Sequence, residues 1–378
     1  MIKNVVKDTC LIRFFSIRIV IFTNMPKTEY HIVATMSGTS LDGLDIIYVT
    51  FTCDGIWHFT IHNSETIPYN QFWKRKLKNL IGLSSEALKQ TDEDYTKYLS
   101  ETILGFISKY HIENIDLISS HGHTALHQPE KQVTYQIGNL PILAQLLGHT
   151  IVCDFRAQDV ALGGQGAPLV PIGDKLLFSE YDHCINLGGF ANLSTDDNMV
   201  RVAYDICPAN IVLNHYVNVL GQDFDDKGRI AESGTIDRQL LTELNALGFY
   251  KQVYPKSLGL EWVNDVIFPI IDNHNLKTED ILKTFTEHIA TQIAKEINKK
   301  ENALILITGG GAYNDYLVSR IKSKTKNNIV IPSKEIIEFK EALIFGLLGI
   351  LKIRGEINCL ASVTGAKHDH SSGKIFRP

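Results

Sequence analysis

Glycine, hydroxyl and carboxylate residues are concentrated in one short stretch, Ser37-Gly-Thr-Ser-Leu-Asp-Gly-Leu-Asp45. In a turn of this composition, backbone N–H and side-chain O–H groups can face a bound anion such as a phosphate. Gly38 and Gly43 would allow a ligand to approach the backbone, and Asp42 or Asp45 could hold a magnesium-bound water. An ordinary type I turn between two strands has the same composition, so both interpretations stay open.

A second glycine-rich stretch is Gly309-Gly-Gly-Ala-Tyr-Asn314, which follows the apolar run 303–308 and precedes a helical pattern. Glycines at the carboxyl end of a strand let a ligand lie against the backbone, close to a helix N-terminus. The spacing is neither Gly-x-Gly-x-x-Gly nor a P-loop. A plain strand–helix connector rarely requires three successive glycines, so the pattern favours a nucleotide site.

Asp205 lies in Tyr204-Asp-Ile-Cys-Pro-Ala-Asn210, at the predicted end of a strand. A carboxylate near a phosphate site could act as a general base on a water or hydroxyl. The alternative is an N-cap for a helix that starts near Pro208. Spacing alone favours the cap.

Histidine is repeated in His121-Gly-His-Thr-Ala-Leu-His127. The spacing is not His-Glu-x-x-His, and a zinc site would need further ligands. The favoured interpretation is that one histidine donates a hydrogen bond to a polar ligand and another is structural.

Arg156 and Glu341 are two further charged candidates. Arg156 precedes the glycine-rich run 163–166 and could bind a carboxylate or phosphate in a bidentate manner, or form a surface ion pair with Asp159. Glu341 opens a predicted helix, where a first-turn carboxylate is also common for reasons of the helix dipole alone.

The elements that must position these residues read as strands and helices in alternation. Strands at 31–36 and 44–51 flank the first turn, and a strand at 115–120 runs into a predicted loop at 121–124. Helical patterns occupy about 70–109, a stretch from Asp280, and 341–353. A second antiparallel meander at 183–205 repeats the first, which predicts an α/β fold of two similar lobes.

Composition limits the class of protein. The 378 residues are 44% hydrophobic and 21% charged, which is typical of a globular chain of two domains. The net charge of −5 gives no sign of binding to nucleic acid or an anionic membrane. Six scattered cysteines without a Cys-x-x-Cys pair argue against a zinc ribbon and fit a reducing cytosol.

Residues 1–24 differ from the rest, with four basic residues against one acidic residue. Their apolar part is interrupted by two arginines, so a membrane span or a secretory signal is not expected. We expect an extension of low order, or a true start at Met25. We then place one lobe at 25–178 and the other at 179–378.

Taken together, these strings resemble anhydro-N-acetylmuramic acid kinase. The similarity covers about 32–366. It is carried in order by segments 36–45, 120–124, 136–138, 154–156, 163–171, 186–192, 255–257, 309–314, 341–342 and 363–366.

The resemblance implies a duplicated actin/hexokinase/Hsp70-type fold with ATP in the cleft between the lobes. It also implies a reaction in which water opens the 1,6-anhydro bridge of 1,6-anhydro-N-acetylmuramic acid and ATP phosphorylates O6. The product, N-acetylmuramic acid 6-phosphate, belongs to cell-wall sugar recycling. The resemblance also implies the use of Mg²⁺ and a cytoplasmic location. We further expect a homodimer, with neither nucleic acid nor membrane as a partner.

The same resemblance implies roles for individual residues. Asp205 is the expected catalytic base, and His123, Arg156 and Glu341 are expected on the sugar side, with Arg156 suited to the lactyl carboxylate. The residues expected to bind ATP are Gly38, Thr39, Ser40, Leu41, Asp42, Gly43, Leu44, Asp45, Gly309, Gly310, Gly311 and Asn314.

One segment departs from the family pattern. The family usually has glycine where this chain has Cys207 and Ala209. If either position needs a positive φ or a close approach to phosphate, the added Cβ would be costly. A non-catalytic sugar- or nucleotide-sensing protein therefore stays open as an alternative, as does a kinase for another sugar.

Overall fold

The structure is a computed structural model that describes residues 27–38 and 40–378. The predicted extension at 1–24 and the expected ATP ligand Thr39 lie outside the described residues. In the described part of the chain, no helix is long and apolar enough to cross a membrane.

The first sheet has seven strands, and its core is an antiparallel meander extended by parallel strands. Strands β1 and β2 pair antiparallel from Glu29↔Thr52 to Met36↔Asp45, so the turn predicted at 37–45 connects them. Strand β4 pairs parallel to β1, and β6 pairs parallel to β4. The strands are β1 (Glu29–Ser37), β2 (Gly43–Cys53), β3 (Trp57–Pro68), β4 (Leu117–Gln128), β5 (Val133–Ile137), β6 (Ile151–Cys153) and the late β12 (Lys374–Phe376).

The second sheet repeats this arrangement with five strands. An antiparallel meander is again followed by two parallel strands, so the spatial order β11-β10-β7-β8-β9 mirrors β6-β4-β1-β2-β3. The duplicated α/β fold predicted from the sequence is confirmed. The strands are β7 (His183–Leu187), β8 (Phe190–Asp197), β9 (Val200–Pro208), β10 (Leu304–Thr308) and β11 (Asn328–Val330).

Helices cover the faces of both sheets. The predicted apolar stripe of the helix near Asp280 is buried in the core of the second sheet. The helices are α1 (Gln71–Lys78), α2 (Ser85–Lys109), α3 (Ile142–Leu147), α4 (Ala157–Ala161), α5 (Val170–Leu177), α6 (Asn210–Val217), α7 (Arg229–Ser233), α8 (Arg238–Ala246), α9 (Leu260–Trp262), α10 (Phe268–Asp272), α11 (Thr278–Ile297), α12 (Asp315–Lys322), α13 (Lys334–Arg354) and α14 (Ala361–Thr364).

Helix α13 lies between the two sheets and packs mainly on the first. Its buried face includes Leu343, Phe345 and Leu347, and it contacts β1, β2 and β4. The last strand, β12, pairs with β6 at the edge of the same sheet. We call the first sheet and its helices the first lobe, and the second sheet and its helices the second lobe. Helix α13 and strand β12 thus return to the first sheet after the second sheet in chain order, and the division of the chain at residue 178 stays a prediction.

Two local predictions are wrong. Segment 121–124 is not a loop, because β4 continues through it and pairs with β1 and β5. Glu341 does not open its helix, because α13 starts at Lys334 after the N-cap Ser333. Residues 334–340 mix charged and apolar side chains, so the sequence pattern located the helix only from 341, although Ile337 and Phe339 are already buried.

Candidate active site

A cavity of about 910 Å³ lies between the two lobes. This volume is within the range of small-molecule sites. Both lobes contribute to its wall, and five residues expected at the site meet there. Those five are Asp45, Asp205, Gly309, Gly310 and Glu341.

Asp205 lies within β9, three residues before the strand ends at Pro208. It is therefore not the N-cap of the next helix; that position belongs to Ala209. The Asp205 Oδ2 accepts a hydrogen bond of 2.7 Å from the Leu258 N–H. Burial raises the pKa of Asp205, and the Leu258 N–H and the positive charge of Lys256 oppose that rise. A carboxylate held in this way can accept a proton from a group in the cavity.

The glycine loop begins where β10 ends. Gly309 has φ +82° and ψ 166°, a region that is essentially restricted to glycine. A Cβ on Gly309 would lie 2.9 Å from the carbonyl carbon and oxygen of Leu187, whereas one on Gly310 would have no neighbour closer than 4.0 Å. Gly309 therefore fixes the turn, while Gly310 leaves open space against the backbone for a ligand.

Asp45 follows the first turn on β2 and lines the cavity. Burial raises its pKa to about 6, and the negative charges of Glu341, Asp42 and Glu338 add to the rise, while a hydrogen bond of 2.5 Å from Thr66 lowers it. Carboxylates that raise one another's pKa favour a nearby cation. Oxygen ligands of this kind are those that magnesium prefers.

The charges of Glu341 and Arg156 interact, but of these two residues only Glu341 lines the cavity. Burial raises the pKa of Glu341, and Arg156 and Lys340 lower it. The half-buried Arg156 donates from Nε to His121 Nε2 at 3.0 Å and from a terminal nitrogen to the Gly166 carbonyl at 2.7 Å. Two of its donors are thus bound to protein, so its expected contact with a lactyl carboxylate stays a prediction.

His123 is buried beside the first turn rather than on the cavity wall. Its Nδ1 lies 2.8 Å from Ser37 Oγ, which lies 2.7 Å from the Tyr69 hydroxyl. Burial lowers the pKa of His123 to about 4, so its ring is neutral at physiological pH. Within the described residues, histidines 121, 123 and 127 do not form a group that could hold a metal ion.

Other residues expected to bind ATP lie off the cavity wall in this structure. Asn314 caps α12 by accepting a hydrogen bond of 2.9 Å from the Leu317 N–H. A Cβ on Gly43 would lie 2.5 Å from the Ile67 carbonyl oxygen, so this glycine is required by the hairpin itself. The remaining expected residues off the wall are Gly38, Ser40, Leu41, Asp42, Leu44 and Gly311.

Asp159 was assigned only a surface ion pair, yet it is fully buried. Its Oδ2 accepts from the Gly166 N–H at 2.7 Å, and its Oδ1 accepts from Thr364 Oγ1 at 2.7 Å and Cys359 Sγ at 3.0 Å. The carboxylate therefore holds the glycine-rich loop at 163–168, part of which lines the cavity. A buried aspartate leaves no local sequence signal apart from the adjacent glycines.

The departure at 207 and 209 does not place a side chain on a backbone position of positive φ. Ala209 has φ −133°, and neither it nor Cys207 has a positive φ. Both side chains are fully buried in the core of the second lobe. The penalty expected from a positive φ is therefore absent, while the effect of these two side chains on phosphate binding stays a prediction.

Comparison with known proteins gives one consistent result. A family model described as anhydro-N-acetylmuramic acid kinase matches residues 30–378. Curated proteins named anhydro-N-acetylmuramic acid kinase are similar along nearly their whole length. One from Mannheimia succiniciproducens is 32% identical, covering 92% of this chain and 99% of that protein, and one from Sulfurimonas denitrificans is 31% identical, covering 92% and 100%. Among solved structures, component A of (R)-2-hydroxyglutaryl-CoA dehydratase from Acidaminococcus fermentans is 12% identical with a TM-score of 0.44, covering 86% of this chain and 99% of that one.

Proposed function

The chain belongs to the anhydro-N-acetylmuramic acid kinase family, and from that premise we propose how its own residues carry out the reaction. The enzyme is an ATP-dependent sugar kinase that opens 1,6-anhydro-N-acetylmuramic acid with water and phosphorylates O6. The residue roles described here, the use of Mg²⁺ and the cytoplasmic location are our proposals. The homodimer stays a prediction.

Asp205 is the proposed general base. A water molecule attacks the anomeric carbon and passes its proton to Asp205, and the bond from that carbon to O6 breaks. O6 then attacks the γ-phosphorus of ATP, ADP leaves, and Asp205 releases its proton to solvent. The raised pKa of Asp205 supports this role because a stronger base accepts the proton of water more readily.

The glycine loop is the proposed phosphate-side wall. Gly309 and Gly310 line the cavity after β10, and the backbone at Gly310 is open to a ligand. Phosphoryl transfer depends mainly on positioning and charge neutralisation, which backbone N–H donors supply without reorganisation.

A magnesium ion fits the part of the cavity wall that Asp45, Glu338 and Glu341 share, because three carboxylates line it and the two glutamates raise the pKa of Asp45 by their negative charge. The ion would neutralise charge on the β- and γ-phosphates of ATP. Asp45 is the residue proposed to hold it through water, and Glu341 stays proposed for the sugar side. The positive charge of Arg156 lowers the pKa of Glu341 and so favours its ionised form.

One observation carries the proposal: Asp205 from β9 and the glycines that follow β10 line the same cavity between the lobes. This shared cavity supports the proposal that the base for the sugar and the backbone donors for phosphate act in one site. No observation favours the sensing protein or another sugar.

The test is incubation of the purified protein with ATP, Mg²⁺ and 1,6-anhydro-N-acetylmuramic acid, followed by ADP release and the mass of the sugar product. We expect Asp205→Asn to abolish turnover and to keep ATP affinity, measured by calorimetry. The matched control is Asp223→Asn, because Asp223 is an exposed carboxylate of the second lobe. Near-normal turnover in Asp205→Asn would refute the assignment of Asp205 as the general base. Binding without ADP release in the unaltered protein would refute the kinase activity.

A further inference from the structure

Segment Lys256-Ser-Leu258 runs beside the end of β9 and binds Asp205 at two points. The Asp205 N–H donates to the Lys256 carbonyl at 3.2 Å, and the Leu258 N–H donates to Asp205 Oδ2 at 2.7 Å. Both the backbone and the carboxylate of Asp205 are therefore oriented by a segment that itself has no regular secondary structure. Whatever fixes this segment also fixes the base.

The side chain of Lys256 anchors the segment. It is only 3% exposed, and its ammonium lies 3.7 Å from Glu296 Oε1. The ammonium also lies over two aromatic rings, 4.9 Å from the centre of Phe249 and 5.6 Å from that of Tyr204. A buried ammonium needs such partners because its desolvation is costly.

Glu296 is itself held from several sides. Its Oε2 accepts from the Tyr204 hydroxyl at 2.8 Å and from Lys299. Glu296 belongs to α11, the central helix of the second lobe core, and Tyr204 precedes Asp205 on β9. Lys256 thus connects its segment to helix α11 and to strand β9, which carries Asp205.

We propose that Lys256, which lines the cavity together with Asp205, is a positioning residue for Asp205 that acts through its anchored side chain and its positive charge. This inference rests on the proposed role of Asp205 as base. Its basis is that one segment supplies the Leu258 N–H and the Lys256 carbonyl that bind Asp205. The buried ammonium of the same segment is held by Glu296 and acts on Asp205 through its charge.

The charge has a defined direction of effect. The positive charge of Lys256 lowers the pKa of Asp205 against the effect of burial. The charged or titratable groups that face Lys256 are Glu296, Lys299 and Cys207. Burial lowers the pKa of Lys256, and the negative charge of Glu296 opposes this decrease. Because the base must be unprotonated, removing the Lys256 charge moves the acid limb of the rate profile to higher pH.

The experiment measures kcat and KM against pH for Lys256→Met, which keeps the apolar stem, and for Lys256→Arg. We expect Lys256→Met to lower kcat by roughly ten- to a hundredfold. Its acid limb should shift to higher pH, with the KM for ATP unchanged, and Lys256→Arg should restore most of the profile. The control is Lys299→Met, which removes the exposed partner of the same Glu296 and should leave kcat and the profile unchanged.

Three outcomes overturn the proposal. The first is a Lys256→Met enzyme with the original kcat and pH profile, and the second is a rise in the sugar KM alone, which would make Lys256 a substrate ligand. If Lys256→Met does not fold, Glu296→Gln loosens the same anchor and should also lower kcat; an unchanged kcat there is the third. If the Lys256 variants contradict the prediction while Asp205→Asn remains inactive, only the positioning role of Lys256 is refuted. If Asp205→Asn is active, the proposed role of Asp205 as base is refuted.

Discussion

Replacing Gly309 by alanine should lower the stability of the fold, whereas replacing the adjacent Gly310 should leave the fold stable and weaken ATP binding. At Gly309 the φ of +82° and ψ of 166° cost a non-glycine residue about 1–3 kcal/mol. The added Cβ also contacts Asn186 Oδ1 and lies 2.9 Å from backbone atoms of Leu187, an overpacking of about 1–3 kcal/mol. We therefore expect Gly309→Ala to lower the free energy of unfolding by about 2–6 kcal/mol.

Gly310→Ala adds its Cβ where the closest atom is 4.0 Å away, so the fold should tolerate it within about 1 kcal/mol. If ATP phosphates lie against this backbone, the methyl group occupies ligand space and raises the KM for ATP. The assay compares urea midpoints of both variants and of the unaltered enzyme, with and without ATP. Equal midpoints for the two variants would refute the conformational reasoning, and an unchanged KM in Gly310→Ala would refute the placement of the phosphates.

Two further predictions concern buried carboxylates. The folded protein raises the Asp45 pKa to about 6, so wild-type stability should fall as pH rises from about 4 to 6; Asp45→Asn should gain about 1–2 kcal/mol at pH 7.5 and nothing below pH 4. Urea midpoints at both pH values test this, and an equal effect at the two would contradict it. Asp159→Ala leaves the Gly166 N–H and the Thr364 hydroxyl without their acceptor and should cost about 3–5 kcal/mol, whereas a loss below about 1 kcal/mol would show that the network is dispensable.

Local patterns predicted much of the fold. The alternation around 31–51 and 183–205 defined both meanders, and the glycine run at 309–311 marked the end of a buried strand. These features depend on strand period and turn chemistry, which neighbouring residues encode.

The rest depends on contacts between distant segments. The return of α13 and β12 to the first sheet, the burial of Asp159 against Thr364 and the Lys256–Glu296 pair join residues 40 or more positions apart. Spacing cannot encode such pairings. The same limit explains why Arg156 was expected at a ligand while the structure gives it His121 and Gly166.

The late position of α13 and β12 constrains how the chain matures during translation. Until residues 334–378 leave the ribosome, the apolar face formed by β1, β2 and β4 lacks helix α13 and the β6 edge lacks strand β12. An unpaired strand edge can pair with another chain. The first sheet is synthesised first, yet its β6 edge is paired only after β12 has been synthesised. The strands and the central helix α11 of the second lobe all precede residue 331, so this lobe can close before the first lobe is complete.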